Sequence, residues 1–228
     1  MTTALFVRGG WAGHEPELTS DRFAAVLRGH GVQVTVSDTL DSYLDADLLA
    51  ATDLVVHTWS QGTATAEQVD GLRAAVEAGT GLAGWHGGVT DSFRTSVDFQ
   101  IMIGGQWVAH PDDITPHRVD PVPGTDDEVM SGIGSFEVVT EQYYVHVDPS
   151  NTVLATTTFD HPTVRPWVHG VTMPVVWKRS WGAGRVFVSL LGHVDSDFDV
   201  PETAVITERG LLWAARVGDR PAGRGLGG

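Results

Sequence analysis

The first half of the chain alternates short apolar runs with amphipathic segments of helical length. Four runs have the length and composition of strands, at residues 4–7, 32–36, 53–57 and 82–85. A regular β-α-β-α-β alternation is typical of a parallel sheet with right-handed crossovers. We therefore predict the strand order 2-1-3-4 for this half, with helices on both faces of the sheet.

Two helices in this half carry recognisable end signals. Ser20 is the predicted N-cap of the first helix, and Gly31 is expected to end it. Thr65 and Gln68 form a capping-box pair for the second helix, which Gly79 should end. The predicted core positions are Phe23, Val26 and Leu27 in the first helix and Val69, Leu72 and Val76 in the second.

The second half of the chain changes character. Residues 106–135 are rich in Pro, Asp and Gly, which favours a loop. Four strands with short connections are expected after it, at residues 136–144, 153–158, 174–179 and 185–190, with a hairpin-type loop at 180–184. A final helix starts near Pro201. We expect one domain over residues 1–217 and a flexible Gly/Arg-rich tail at 218–228.

Composition narrows the function class. The 228 residues are 42% hydrophobic and 19% charged, as in ordinary globular proteins. The net charge of −15 disfavours nucleic acid and anionic membranes as partners. The chain has no Cys, which excludes disulfides, thiolate metal ligands and a cysteine nucleophile. Neither a signal peptide nor an apolar run of about 18 residues is visible, so we expect a cytoplasmic protein.

The most informative segment is Gly84-Trp85-His86-Gly87-Gly88. It follows a predicted strand, and its small residues are typical of a nucleophile elbow, the strained turn that lifts one side chain to the top of a sheet. The side chain at that point is an imidazole. His86 can therefore ligate a metal or move protons, although a turn with an incidental histidine is an equally simple reading of the pentapeptide.

Four histidines follow predicted strands: His14, His57, His86 and His193. Ligands of open parallel sheets bind outside the carboxyl ends of the strands, so these imidazoles should meet at one edge. Glu141 can join them. Imidazole and carboxylate together suit Zn²⁺, Mn²⁺ or Fe²⁺ in a site with an open position, and they equally suit metal-free acid-base chemistry near neutral pH.

Aromatic residues around this edge could bind substrate. Strand alternation puts Glu141 and Tyr143 on one face and Gln142 and Tyr144 on the other, and we assign the first pair to the cleft. Trp107 could stack on a sugar face, because an aromatic surface suits the C–H face of a pyranose. The chain contains no Walker A or G-x-G-x-x-G pattern, so no nucleotide cofactor is indicated.

Taken in order, these motifs resemble those of the trehalose-utilisation (ThuA-like) family over about residues 3–217. The motifs are Gly13-His14-Glu15, Gly84-Trp85-His86-Gly87, Gly104-Gly105-x-Trp107-x-x-His110-Pro111, Phe136-Glu137-x-x-x-Glu141-x-Tyr143-Tyr144, Pro174-Val175-Val176-Trp177 and Gly192-His193. The resemblance implies a flavodoxin-like, doubly wound α/β fold with a mostly parallel sheet, similar to class I glutamine amidotransferases. His86 would take the position of the amidotransferase cysteine, and His193 with Asp195 would match the late His-x-Glu.

The resemblance also implies sugar metabolism, with trehalose-related or oxidised keto-disaccharides as substrates. We expect a hydrolase, lyase or isomerase type of enzyme whose partner is a small carbohydrate, and a homo-oligomer remains an option. The expected catalytic residues are His86, His57, Glu141 and His193. The expected metal ligands are His14, His86, Glu141 and His193, and zinc is the first choice of metal. The expected substrate-binding residues are Trp107, His110 and Tyr143. The alternative is a carbohydrate-binding or regulatory domain that has lost the nucleophile, and the absence of Cys argues against an amidotransferase.

Overall fold

The structure, a computed structural model, describes residues Met1–Val217. The predicted flexible tail at 218–228 lies outside the described residues. Within Met1–Val217, no helix is both long and apolar enough to cross a bilayer.

A nine-stranded sheet forms the centre of the molecule. Its strands, in chain order, are β1 (Thr3–Gly10), β2 (Gln33–Ser37), β3 (Leu54–Ser60), β4 (Gly81–Trp85), β6 (Ile114–Pro121), β7 (Phe136–Glu141), β9 (Thr152–Thr158), β10 (Thr172–Trp181) and β11 (Gly184–Ser189), while β5 (Gly105–Ala109) and β8 (Tyr144–Val147) pair separately. The order across the sheet is β2-β1-β3-β4-β11-β10-β9-β6-β7. The predicted order 2-1-3-4 is therefore confirmed.

The sheet is parallel from β2 to β11 and antiparallel from β11 to β7. The inner parallel strands are buried on both faces, as a continuous apolar sequence predicts. Leu54, Val55 and Val56 of β3, for example, are fully buried. The predicted flavodoxin-like α/β fold class is confirmed by this arrangement.

In the described part of the chain, six α-helices cover the sheet: α1 (Pro16–Gly29), α2 (Ala46–Ala50), α3 (Ala66–Ala78), α4 (Gly87–Thr90), α5 (Val97–Ile103) and α6 (Pro201–Ala214). The contacts of α1 with α6, and of α3 with α2 and α5, define two helical layers. Two adjacent residues of β3, Thr58 and His57, point into opposite helical layers. Thr58 hydrogen-bonds Ser20 of α1, and the ring of His57 lies 5.0 Å from that of Phe99 in α5.

The helix ends follow the sequence signals in part. The Thr65–Gln68 capping box and the Gly79 stop of α3 are both present. The prediction that Ser20 caps α1 is wrong, because the helix begins a turn earlier at Pro16, whose fixed φ suits a first helical position. Ser20 is buried inside the helix. That helix ends at Gly29, and Gly31 is left-handed two residues later, with φ +76°.

Two predictions for the second half need correction. The stretch expected to be mainly loop contains β5 and β6, since strand pairing with β8, β7 and β9 overrides a loop-like composition. The single strand expected at 136–144 ends at Glu141, and after two unpaired residues the chain enters β8 in the small sheet. This break turns Glu141 and Tyr143 toward the same site, as described below.

Candidate metal centre at the carboxyl edge of the sheet

His86 occupies the strained turn that its flanking residues suggest. It links β4 to α4 with φ +48° and ψ −140°, a combination that L-residues rarely adopt. Its amide donates a 2.7 Å hydrogen bond to the carbonyl of Ser189 at the end of β11. The two glycines that follow, Gly87 and Gly88, do not have positive φ. They are needed because neighbouring residues pack too closely for a Cβ. A Cβ on Gly87 would lie 2.2 Å from Cε1 of His14.

His14 reaches the site from a single 3-10 turn, Ala12–His14, after β1. The side chain is buried, and its Nδ1 shares a 2.6 Å hydrogen bond with the buried Ser60 Oγ at the end of β3. This bond fixes the ring and leaves Nε2 to face the other imidazoles. The next residue, Glu15, is left-handed with φ +45° and turns the chain into α1.

His193 follows β11 after Gly192, whose φ of +91° favours glycine. The amide of His193 donates to the Asp197 carboxylate (2.9 Å). The amide of Asp195 donates to Glu15 Oε2 (2.9 Å), and Arg22 binds both carboxylate oxygens of Asp195. Asp195 therefore joins the His193 loop to α1 instead of orienting the imidazole, which differs from the His-x-Glu arrangement that the resemblance implies.

Glu141 completes the group from the end of β7. Its Oε2 lies 3.0 Å from Nε2 of His86 and 3.3 Å from Nδ1 of His193, and these two nitrogens are 3.2 Å apart. His14, His86, Glu141 and His193 each offer one ligand atom, and the four atoms lie within 4.8 Å of one another. We call these four residues the His/Glu cluster.

The cluster consists of largely neutral imidazoles around one anion. Burial, with the neighbouring His86 and His193, lowers the pKa of His14 to about 3. Burial also lowers the pKa of His86. For Glu141, burial raises the pKa, but the hydrogen bonds from His193 and His86 outweigh it, so the pKa is lowered overall. For His193, burial lowers the pKa, but the hydrogen bond and the charge of Glu141 raise it by more than burial lowers it. The net shift of the His193 pKa is therefore upward.

The donor set fits a divalent transition metal. His86 Nδ1 lies 2.8 Å from the Leu190 carbonyl, which can only accept, so Nδ1 carries the proton and Nε2 presents a lone pair. That lone pair faces a carboxylate oxygen and a second imidazole nitrogen. A cation bound between them satisfies all three, and a backbone carbonyl on the far nitrogen is the usual outer partner of a metal-bound histidine. The mixed nitrogen and oxygen ligands suit Zn²⁺, Mn²⁺ or Fe²⁺.

Aromatic rings border the cluster on two sides. Tyr143 packs against His86 with ring centroids 4.1 Å apart, and the Trp107 ring is 6.1 Å from that of Tyr143. His110 is 5.5 Å from Trp107, and its Nε2 lies 3.7 Å from Glu141. The structure thus brings the three expected substrate-binding residues to the cluster. On the other side, the Trp11 ring lies 4.7 Å from that of His14 and is 47% exposed.

The expectation that His57 lines this cleft is wrong. His57 is fully buried in the opposite helical layer, where Nδ1 lies 2.7 Å from the Tyr43 hydroxyl and Nε2 lies 3.2 Å from Ser92 Oγ. Its ring also packs against Phe93 and Phe99. Although His57 is near a strand end, adjacent strand residues point to opposite faces, and the face of His57 leads to the core.

The sequence reasoning missed two residues of the site. Ser60 orients His14, and Trp11 forms the exposed rim. Both are at or just after the end of a parallel strand, the same signal that identified the histidines. Ser60 is the last residue of β3, three residues after His57, so its position at the strand end is the signal that identifies it.

Comparison with known proteins places this chain in a family. The sequence matches the profile of the ThuA family, described as trehalose utilisation, over residues 3–214. This chain belongs to the ThuA family. The match supports a role related to trehalose utilisation in general. A search of curated proteins found no match.

Solved structures share the fold at low sequence identity. A ThuA-like protein from Bacteroides uniformis ATCC 8492 superposes with a TM-score of 0.75 at 16% identity, covering 93% of this chain and 91% of that one. A ThuA-like protein from Parabacteroides merdae ATCC 43184 gives 0.72 at 15% identity, covering 98% and 92%. A cytoplasmic protein from Salmonella typhimurium LT2 gives 0.66 at 12% identity, covering 93% and 99%. At these identities the structures establish the fold of the ThuA chain alone.

Proposed function

We propose that this ThuA protein is a metal-dependent enzyme that acts on a keto-glycoside, a sugar derivative in which one ring hydroxyl has been oxidised to a ketone. The observation that carries the proposal is the His/Glu cluster, whose four ligand atoms converge within 4.8 Å at the elbow of an α/β sheet. The family description, trehalose utilisation, supports the carbohydrate class. The keto sugar is what the resemblance to the family implies, and the metal is inferred from the chemistry of the cluster.

His14, His86, Glu141 and His193 would hold the metal, with zinc as the first candidate. A bound divalent cation of this kind polarises a carbonyl oxygen or activates water. A ketone beside the metal makes the adjacent C–H more acidic, which opens a route that needs no oxocarbenium ion.

His110 is suited to receive that proton. It is partly exposed at the rim of the cluster, its Nδ1 lies 2.9 Å from Asp113, and its Nε2 faces inward near Glu141. A carboxylate on the outer nitrogen orients the imidazole and leaves its Nε2 facing the cluster. The C–H bond breaks as the proton moves to Nε2, and its electron pair forms a carbon-carbon double bond. The glycosidic C–O bond breaks at the same time, and the leaving oxygen takes up a proton from water, while His110 afterwards returns its own proton to the solvent. This sequence is an elimination, so the expected enzyme is of the lyase type.

A metal-free reading of the same residues has one observation in its favour. A proton on Nδ1 of His193 could be shared with Glu141 and with Nε2 of His86, which would satisfy all three atoms without a cation. The pKa of His193 is raised in the direction that this reading needs. The chain would then perform acid-base chemistry alone, and metal removal would leave its turnover unchanged.

The experiment measures metal content and turnover on the same preparation. The purified protein is analysed by plasma mass spectrometry, stripped with a chelator, and reloaded with Zn²⁺, Mn²⁺ or Fe²⁺. Each form is assayed with a keto-disaccharide derived from trehalose and with trehalose itself. We expect turnover of the keto sugar only by the metal-loaded protein.

Glu141→Gln is the matched variant, and Glu137→Gln is its control. Both residues lie on β7, but Glu137 is exposed and outside the cluster. We expect Glu141→Gln to reduce turnover about 100-fold or more and Glu137→Gln to leave it unchanged. Absence of both metal binding and keto-sugar turnover would overturn the proposal, and trehalose binding in that case would favour the carbohydrate-binding alternative.

A further inference from the structure

A cavity at the carboxyl end of β3 is not used by the chemistry proposed above. It has a volume of about 370 Å³ and is lined by Gln61, Gly62, Thr63, Arg94 and Thr95. This volume is within the range of small-molecule sites. Four of the five lining residues have a side chain with a hydrogen-bond donor, so the lining suits a polyhydroxylated ligand.

The cavity connects to the cluster along two routes. Gln61 directly follows Ser60, whose hydroxyl holds His14. On the other side, the guanidinium carbon of Arg94 lies 4.2 Å from the centroid of the Trp107 ring, and Trp107 leads to the cluster through Tyr143. Trp107 and Tyr143 therefore join the lining of the cavity to the His/Glu cluster.

The two segments that line the cavity are held in strained conformations. Gln61 has φ +61° and Phe93 has φ +44°, although neither is glycine. The Gln61 amide donates to the Asp91 carbonyl (2.9 Å), and the Gln61 carbonyl accepts from the Phe93 amide (3.4 Å). Strain of this kind persists only where the surroundings fix the backbone, and it concentrates at ligand sites.

Arg94 presents donors that the protein leaves unused. Its Nε donates to the buried Asp91 carboxylate, and its planar group lies on Trp107. Among residues Met1–Val217 no hydrogen-bond partner is found for Nη1 or Nη2. These two nitrogens form a preorganised fork, which matches two neighbouring oxygens of a ligand. Since Asp91 compensates the charge of Arg94 and the chain carries −15 overall, the fork favours a neutral diol over an anion.

We infer that this cavity binds the unreacting ring of a two-ring glycoside, with Arg94 donating to two adjacent ring hydroxyls while the keto ring lies at the His/Glu cluster. The inference rests on the proposed function for the reacting ring. It adds that Arg94, Gln61, Thr63 and Thr95 determine specificity for a second, neutral sugar ring. Trp107 supports Arg94 in this arrangement, because one of its faces is covered by the guanidinium rather than open to a sugar.

Two variants test the cavity without leaving a buried charge unpaired. Arg94→Lys keeps the ion pair with Asp91 but loses the fork, and Thr63→Trp fills the cavity from an exposed position. Arg73→Lys on α3, where Arg73 pairs with Asp70 and Glu77, is the control. Each protein is assayed with a keto-disaccharide and with the corresponding methyl keto-glucoside, which has one ring.

We expect both cavity variants to raise the ratio of KM for the two-ring substrate to KM for the one-ring substrate about tenfold, with metal content as in the wild type. The Arg73→Lys ratio should equal that of the wild type. Equal effects on both substrates, or no effect, would overturn the inference. So would tighter binding of a sugar phosphate than of the neutral disaccharide.

A binding measurement separates failure of this inference from failure of the proposed function. Trehalose carries two rings but no ketone, so its binding by isothermal titration calorimetry does not depend on turnover. If no keto sugar reacts, weaker trehalose binding by Arg94→Lys and Thr63→Trp would still support the cavity assignment. Unchanged trehalose binding in both variants would contradict it.

Discussion

At the scale of single residues, His86 combines a strained backbone with a buried side chain. The φ of +48° costs about 1–3 kcal/mol in a residue with a Cβ, and the cost is offset by the contacts of the ring. The side chain is 1% exposed and lies within hydrogen-bond distance of Leu190 and Glu141. Its removal therefore affects stability as well as chemistry.

The strain makes an unusual prediction for two variants of this position. His86→Gly should be more stable than His86→Ala by about 1 kcal/mol, because glycine adopts the elbow conformation without a Cβ penalty. At an ordinary strand position such as His146, alanine should be the more stable replacement. Urea unfolding of the four variants measures these differences. A more stable His86→Ala would show that the elbow is not strained, and both His86 variants should lose metal binding.

Ser60 supplies a second residue-scale prediction. Its hydroxyl holds the outer nitrogen of His14, and the loss of such a partner typically weakens metal binding 10–100-fold. We expect Ser60→Ala to raise the Kd for Zn²⁺ by about that factor. Ser42→Ala, which breaks a hydroxyl pair with Ser37 away from the cluster, is the control. Equal Zn²⁺ affinity in the wild type and Ser60→Ala would mean that His14 is not a ligand.

At the scale of secondary-structure elements, three loops from separate strands must be held at fixed distances for the cluster to form. The ion pair of Arg22 with Asp195 links α1 to the loop after β11, and Glu15 accepts a hydrogen bond from the same loop. These contacts join the segment that carries His14 to the segment that carries His193.

Arg22→Gln should therefore weaken metal binding more than it weakens the fold. The pair is partly exposed, so its loss should cost no more than about 1 kcal/mol of stability. We expect the Kd for Zn²⁺ to rise about tenfold, as for other outer contacts of a metal site. Arg73→Gln on α3 removes comparable surface ion pairs and should leave the Kd unchanged. A large fall in Tm with an unaltered Kd would assign Arg22 a purely structural role.

The sequence anticipates this element-scale arrangement unevenly. The carboxyl ends of parallel strands share one edge, so strand position alone identified His14, His86 and His193 as neighbours. It failed for His57, because one residue of register along β3 decides whether a side chain faces α1 or the opposite layer. The strands β5 and β6 were missed, since their pairing with β8, β7 and β9 is not encoded in local composition.

At the scale of the whole molecule, neutral imidazoles are a feature of the interior. Four histidines are buried with pKa values lowered by burial, and they are His14, His57, His86 and His117. Each must stay uncharged for the native state to form, whereas in the unfolded chain each titrates near its ordinary pKa. The unfolded state therefore binds more protons below about pH 6.5, and the protein should lose stability as the pH falls.

His57 allows the contribution of one histidine to this pH dependence of stability to be measured separately, because it is fully buried and lies outside the His/Glu cluster. Burial lowers its pKa from 6.5 to about 3, so the neutral form stabilises the fold fully above pH 6.5 and its contribution is lost between pH 6.5 and 3. The expected slope is about 1 kcal/mol per pH unit in that window. Urea unfolding of chelator-treated wild type and His57→Gln at pH 6.5 and pH 4.5 measures it, since the other histidines contribute equally to both proteins. Between pH 6.5 and pH 4.5, we expect the free energy of unfolding to fall by about 2–3 kcal/mol more in the wild type than in the variant. Equal decreases in the two proteins would show that His57 is protonated in the folded protein.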